Sequence, residues 1–300
     1  MVKRREAGYC NIKLMLIFLV IYGHLVEPWI DSSALLMFQY KLIYFFHMPL
    51  FCFMTGLFLK SEKACLSMIK KTLPLYFVLQ LPSVIMKERP LFLPNWVLWY
   101  LFSCCLWAAL VYLWVKLGKK GKWIVLSVAL VVGCAAGYFE FIGREFSLSR
   151  TLVFFPYVFL GVLWDPKYPW QKLRKFSLAG LLPTAGLIAL LWNRISCEFL
   201  YHADPFTEIK YGFLLRLACY VIGALMSLFC LSFMTRKKLF CSVLGADTLW
   251  PYIIHWPLAI VMKSFCLPWP VYLLMSATLI TIVYFGAKLL GHRFEVVEKL

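Results

Sequence analysis

The sequence predicts an all-α protein, a polytopic transmembrane helical bundle of about ten spans with both termini on the cytoplasmic side. Three observations carry this expectation. Of 300 residues, 63% are hydrophobic and 15% charged, whereas a soluble domain carries about a quarter charged residues. Mean hydropathy is +0.79, and the apolar residues fall into successive runs of the length a hydrocarbon core about 30 Å thick requires. Basic residues, finally, gather in alternate loops.

The predicted spans are 11–29, 37–59, 69–86, 91–115, 122–140, 150–164, 176–194, 210–234, 244–263 and 269–290. The first follows MVKRREAGYCN, too short and too charged for a complete signal peptide. Its apolar run passes signal-peptide length without a small-residue cleavage site, so a retained span is expected. The second contains Pro49, which cannot donate to the carbonyl of Phe45 and should kink the helix. The third follows Lys60, Lys63, Lys70 and Lys71; the fourth, rich in tryptophan, ends at a lysine cluster that opens the fifth. Ser149 and Arg150 open the sixth, and Lys167, Lys172, Arg174 and Lys175 precede the seventh. The eighth encloses Arg216, which needs a partner that the sequence does not name. The ninth begins after Arg236, Lys237 and Lys238, and the tenth leads into Lys288, Arg293 and Lys299. With Lys3, Arg4 and Arg5, these clusters mark one side of the membrane as cytoplasmic, and an even span count follows. The opposite loops are poor in basic residues. The longest of them, about 194–210, carries Glu198, His202, Asp204 and Glu208 and reads either as a lid or as an ordinary solvated loop.

The composition also excludes function classes. A net charge of +17 could suggest nucleic acid, but its confinement to loops between apolar spans points to cationic membrane-surface loops, and no nucleic-acid partner is expected. The eleven cysteines are scattered through apolar segments without metal-ligand spacing; they read as small buried hydrophobes, and no metal is expected. No G-x-S-x-G, H-E-x-x-H or Walker-type loop occurs. Neither an internal repeat nor a low-complexity linker divides the chain, so residues 1–300 are expected to form a single membrane-embedded domain.

The candidate chemistry lies in the histidines. Ionisable residues at membrane depth are costly and mark functional sites by default. His24, His47 and His255 each fall inside an apolar run, and the topology brings all three to the middle or outer part of the membrane. A neutral imidazole there can take the proton of an attacking hydroxyl; each could instead be a structural hydrogen-bonding group. Glu27, three residues after His24, could orient that imidazole, or could be an interfacial carboxylate beside Pro28. Lys13 lies eleven residues before His24, on the same face and roughly 16 Å away. It reads as a phosphate contact or as a snorkelling interfacial lysine.

Lys13, ten residues and then His24 resembles the Arg/Lys-x10-His signature of the acyltransferase-3 family of integral membrane O-acyltransferases. FFHMPLFCFMTGLFLK (45–60) looks like that family's second block, most similar to its fucose 4-O-acetylase-like branch. FLPNWVLWYL (92–101), SRTLVFFPYVFLG (149–161) and LGADTLWPYIIHWPL (244–258) resemble further blocks of the branch, so the likeness spans nearly the whole chain. It departs from the branch where Cys10, not an acidic residue, precedes Asn11-Ile12-Lys13; a carboxylate there could orient Lys13.

The resemblance implies a multi-pass protein of the bacterial plasma membrane. It implies transfer of an acetyl group from acetyl-CoA, a co-substrate, to a hydroxyl of a sugar, glycan or lipid-linked sugar. Catalysis would fall to His24 with Glu27 and His47, acetyl-CoA binding to Lys13 and Arg150, and substrate binding to His255 and Trp99. Direct transfer and a transient acyl-histidine both fit, and homodimerisation stays open. The rival expectation is an exporter of polysaccharide or lipid-linked sugar that uses the histidines for proton relay or gating, although the inverted repeats common in transporters are missing. A third is a degenerate structural subunit.

Overall fold

The computed structural model describes residues 4–165, 167–206 and 209–289, with side chains from Ala7 onward. Lys3, Glu208, Arg293, Lys299 and the side chains of Arg4 and Arg5 lie outside the described residues. Among the described residues there is no strand. The helices are α1 (Arg4–Val26), α2 (Ala34–Gly56), α3 (Glu62–Ile85), α4 (Trp99–Lys116), α5 (Lys122–Ala135) and α6 (Leu148–Leu163). They continue with α7 (Arg174–Ala179), α8 (Leu181–Leu191), α9 (Cys197–Tyr201), α10 (Gly212–Phe233), α11 (Leu249–Met262) and α12 (Trp269–Leu289). Six helical stretches are long and apolar enough to cross a membrane, and a seventh if α7 and α8, with the short turn before them, form one broken span.

Each of the ten predicted segments contains helix, but three differ in detail. Predicted span 91–115 starts later: residues 91–95 form a turn, followed by a 3-10 turn at Trp96–Leu98. The cause lies in α3, where fully buried Gln80 donates to the carbonyls of Pro90 and Leu93 and accepts from the amide of Asn95. These bonds satisfy backbone groups that a helix would otherwise pair internally. Span 176–194 breaks at Gly180, and Pro183 cannot donate back to the carbonyl of Ala179. Span 244–263 becomes helical only at Leu249, because Phe240–Gly245 is a 3-10 segment laid against α1.

The chain gathers into two compact units, each discontinuous in sequence. The first comprises residues 1–47, 170–181 and 226–300; the second comprises 48–169 and 182–225. In the first, α1 packs against α11, α12 and the Phe240–Gly245 segment. The approach is so close that a Cβ on Gly245 would stand 1.9 Å from the Cys10 carbonyl oxygen. Asn11 locks the same contact, donating to the carbonyls of Thr235 (2.9 Å) and Lys237 (3.1 Å) and accepting from the Ser242 hydroxyl.

In the second unit, α3 packs on α4, α5 on α6, and α4 on α6. The end of α2 meets α6 through a glycine pair: a Cβ on Gly56 would lie 1.9 Å from the Val158 carbonyl oxygen, and one on Gly161 would lie 2.1 Å from that of Phe53. Small residues at such crossings let helix backbones touch, which is how helices associate within lipid. Buried Trp107 donates to the Thr151 carbonyl at 2.8 Å, and the Ser103 and Thr151 hydroxyls meet at 2.8 Å.

Candidate functional site

In the first unit, α1 carries Lys13 and His24, and both end on the stretch from residue 246 to 256. The Lys13 ammonium donates to the Ala246 carbonyl at 2.8 Å. Asp247, the next residue, is within electrostatic reach of Lys13 and accepts from the Leu249 amide at the start of α11. A carboxylate thus stands near Lys13 from a distant part of the chain, although Cys10 occupies the neighbouring position in sequence. His24, in the last turn of α1, meets His255 of α11 with Nδ1 and Nε2 2.9 Å apart. The ring planes differ by 10° and their centroids are 5.1 Å apart. With nitrogens at 2.9 Å, such centroids require the rings to meet edge to edge, as a nitrogen-to-nitrogen hydrogen bond demands, and not face to face.

The partners fix the protons of the neutral pair. Fully buried His255 approaches the Pro251 carbonyl with Nδ1 at 3.2 Å, and a carbonyl can only accept, so Nδ1 carries the hydrogen. His255 Nε2 is then bare and accepts from His24 Nδ1–H. This leaves Nε2 of His24 as the nitrogen without a proton, the tautomer a base requires. Trp256 meets the His24 ring edge-on at 6.2 Å.

His47 and Glu27 stand differently. His47 is buried in α2, directs Nδ1 at the Ile43 carbonyl one turn back (2.8 Å) and packs its ring on Tyr44; it does not hydrogen-bond to the His24–His255 pair. Glu27 is the first residue of the 3-10 turn Glu27–Ser32 that follows α1, half-buried, with Pro28 next. Pro28 has no N–H for the His24 carbonyl, so the α-helix gives way there.

The same unit holds an open cleft, at the Asn11 end of α1, lined by Gln171, Arg174, Arg236, Lys237 and residues Ser232–Thr235, with about 800 Å³ of space. Arg174 lies over the Phe233 ring (4.2 Å) and Arg236 over that of Trp170 (5.4 Å). Asn11 joins α1 to the backbone of this cleft. Sequence reasoning missed this cleft, because its cations read as loop charges.

The second unit collects Arg150 and Trp99. Arg150, at the start of α6, lies 4.8 Å over the Trp99 ring and donates Nε–H to the Tyr201 carbonyl at 3.0 Å. Phe154 stacks on Trp99 at 5.7 Å. The described residues of the 194–210 loop are anchored at several points. Its helix α9 is capped by Ser196, and Ser149 donates to the His202 carbonyl. Arg144 grips Asp204 with two bonds (2.6 and 2.7 Å), holding that carboxyl below its usual range. Buried His202 is held well below the usual imidazole range, first by desolvation and then by the nearby Arg216 and Arg150 guanidinium charges. Arg216 finds its partners in the Gly133 carbonyl (3.2 Å) and the Phe206 ring (4.3 Å).

Among the described residues no group of three or more His, Cys, Asp or Glu could hold a metal ion. No protein family, curated protein or solved structure matches the chain.

Proposed function

We propose that this chain is an integral membrane O-acetyltransferase that moves an acetyl group from cytoplasmic acetyl-CoA to a sugar or glycan hydroxyl. One observation carries the reading: the His24–His255 pair, whose hydrogen bonds leave His24 Nε2 as the unprotonated nitrogen inside an apolar helix. In this reading all ten apolar segments cross the bilayer, both termini are cytoplasmic, and the membrane is the plasma membrane of a bacterium. The resemblance of the Lys13–His24 spacing and the later blocks to acyltransferase-3 proteins supports it.

His24 Nε2 takes the proton of the acceptor hydroxyl as its oxygen attacks the thioester carbonyl. The carbon–sulfur bond then breaks, the CoA sulfur leaves, and the proton held on His24 returns to it. His255 accepts from Nδ1–H throughout, so the imidazolium formed in the step is stabilised and its ring stays oriented. Lys13 fixes α1 to residue 246 and so keeps His24 in register with His255. The cleft with Arg174, Arg236 and Lys237 supplies cations for the phosphates of CoA, on the side that the basic loops make cytoplasmic.

The test is incorporation of label from radioactive acetyl-CoA into membrane glycans, with membranes that contain or lack the protein. Protein-dependent labelling is expected. Its absence, together with protein-dependent appearance of unmodified glycan outside the cell, would overturn the reading in favour of an exporter.

A further inference from the structure

The second unit holds a cleft to which the mechanism proposed above assigns no step, although the sequence resemblance implies ligand contacts for two of its lining residues, Arg150 and Trp99. It is formed by three separate loops and lined by Arg89, Arg144, Arg150, Trp96 and Trp99, with the backbone of Gly143 and Ser147. No acidic residue lines it. Of its three arginines, Arg144 is neutralised by Asp204, while Arg150 is oriented by the Tyr201 carbonyl and the Trp99 ring. The Arg89 guanidinium makes no hydrogen bond or ion pair with any described residue. With one carboxylate, Asp204, paired to Arg144 and within electrostatic reach of Arg150, the three guanidinium groups leave the cleft net positive, which suits an anion.

The backbone around the cleft is held in place. Lys87, Phe146, Ser147 and His202 all have φ between 51° and 56°, the left-handed region that non-glycine residues seldom enter. Each is within two residues of a lining residue. Tyr76, Gln80 and Ser83 of α3 hydrogen-bond the 88–95 loop that brings Arg89 and Trp96 to the cleft. Such strain persists only where surrounding structure enforces it, and it collects at binding sites. The cleft has about 20 Å³ of solvent room inside about 340 Å³ of free space open to the outside. It therefore admits a compact group and leaves the rest of a ligand outside.

We infer that this cleft binds a compact oxyanion, the phosphate or carboxylate of an acidic saccharide, through Arg89 and Arg150. Guanidinium groups match both oxyanions with paired hydrogen bonds. Naming a saccharide as the carrier rests on the acetyltransferase reading; the oxyanion site itself does not. The inference makes the acceptor a phosphorylated or uronic sugar and not a neutral one.

The experiment is calorimetric titration of the detergent-solubilised full chain with glucose 1-phosphate, glucuronate, methyl glucoside, inorganic phosphate and phosphatidylglycerol. Saturable binding of glucose 1-phosphate or glucuronate is expected, displaced by inorganic phosphate, with none for methyl glucoside. Arg89→Gln should weaken it about tenfold or more, as loss of a charged hydrogen bond does, and Arg150→Lys should weaken it less than Arg150→Gln. Elution profiles matching the parent protein establish that each variant is folded. No saturable anion binding, or binding unchanged in Arg89→Gln, would overturn the site. Binding of phosphatidylglycerol alone would overturn the saccharide and assign the oxyanion to a lipid. Because no acetyl-CoA is present, failure here leaves acetyl transfer standing, and failure of acetyl transfer leaves anion binding standing.

Discussion

At the scale of single residues, the structure turns a set of histidines into groups with different work. In the sequence His24, His47 and His255 look alike, each an imidazole in an apolar run. His47 and His255 each direct Nδ1 at the carbonyl one turn back on their own helix; what separates them is that His255 Nε2 also meets His24 and so dictates which nitrogen of His24 is unprotonated. Sequence spacing revealed Lys13 and His24 but not their common destination, because residues 246 and 255 are more than 230 positions away. His202, read as a loop residue, is buried beneath two guanidinium groups. Its depressed pKa means that below pH 6.5 the unfolded chain binds a proton that the folded protein refuses. Stability should thus fall as pH drops from 6.5, by up to about 1.4 kcal/mol per pH unit from this group. His202→Asn keeps a side chain that tolerates the left-handed backbone (φ 52°) and removes the titration. Thermal unfolding in detergent at pH 7 and pH 5.5 should show a smaller loss for the variant; an equal loss would mean that His202 is readily protonated in the fold.

Helices were the most legible part of the sequence. Every predicted apolar run contains helix, though α9 lies in a stretch read as loop, and the misplaced starts at 91 and 244 share a cause: side chains or backbone of another helix capture the groups there. Helix contacts were not legible, because glycine is read from sequence only as a breaker. Gly56, Gly161 and Gly245 instead permit backbone contact, with the added Cβ 1.9, 2.1 and 1.9 Å from a carbonyl oxygen. Neither backbone can yield by rotating a side chain, so alanine at each should cost about 1–3 kcal/mol or more. Gly186 in α8 has nothing within 4 Å of its Cβ position, and alanine there should stabilise by up to about 1 kcal/mol through helix propensity. Melting temperatures of the four alanine variants check this directly. A Gly186 variant as unstable as the others would contradict the helix contacts described.

The topology of the whole molecule rests on charge asymmetry and can be tested with native cysteines, since all eleven are free. Cys266 is exposed between α11 and α12, and Cys241 is partly exposed before α11. With cytoplasmic termini and ten spans, Cys266 faces outward and Cys241 the cytoplasm. A membrane-impermeant maleimide should label Cys266 in intact cells, and Cys241 only after permeabilisation, with Cys266→Ser and Cys241→Ser identifying the bands. The reverse pattern would invert the topology and place the Arg174–Lys237 cleft on the wrong side for acetyl-CoA.

The central claim is that His24 is the base of an acetyl transfer. The most direct measurement is the initial rate of label transfer from acetyl-CoA to membrane glycan, with wild type and His24→Gln at matched expression and fold. Loss of a positioned base should lower the rate by about 10²–10⁴-fold. Equal rates would show that His24 is structural, and the mechanism would be wrong.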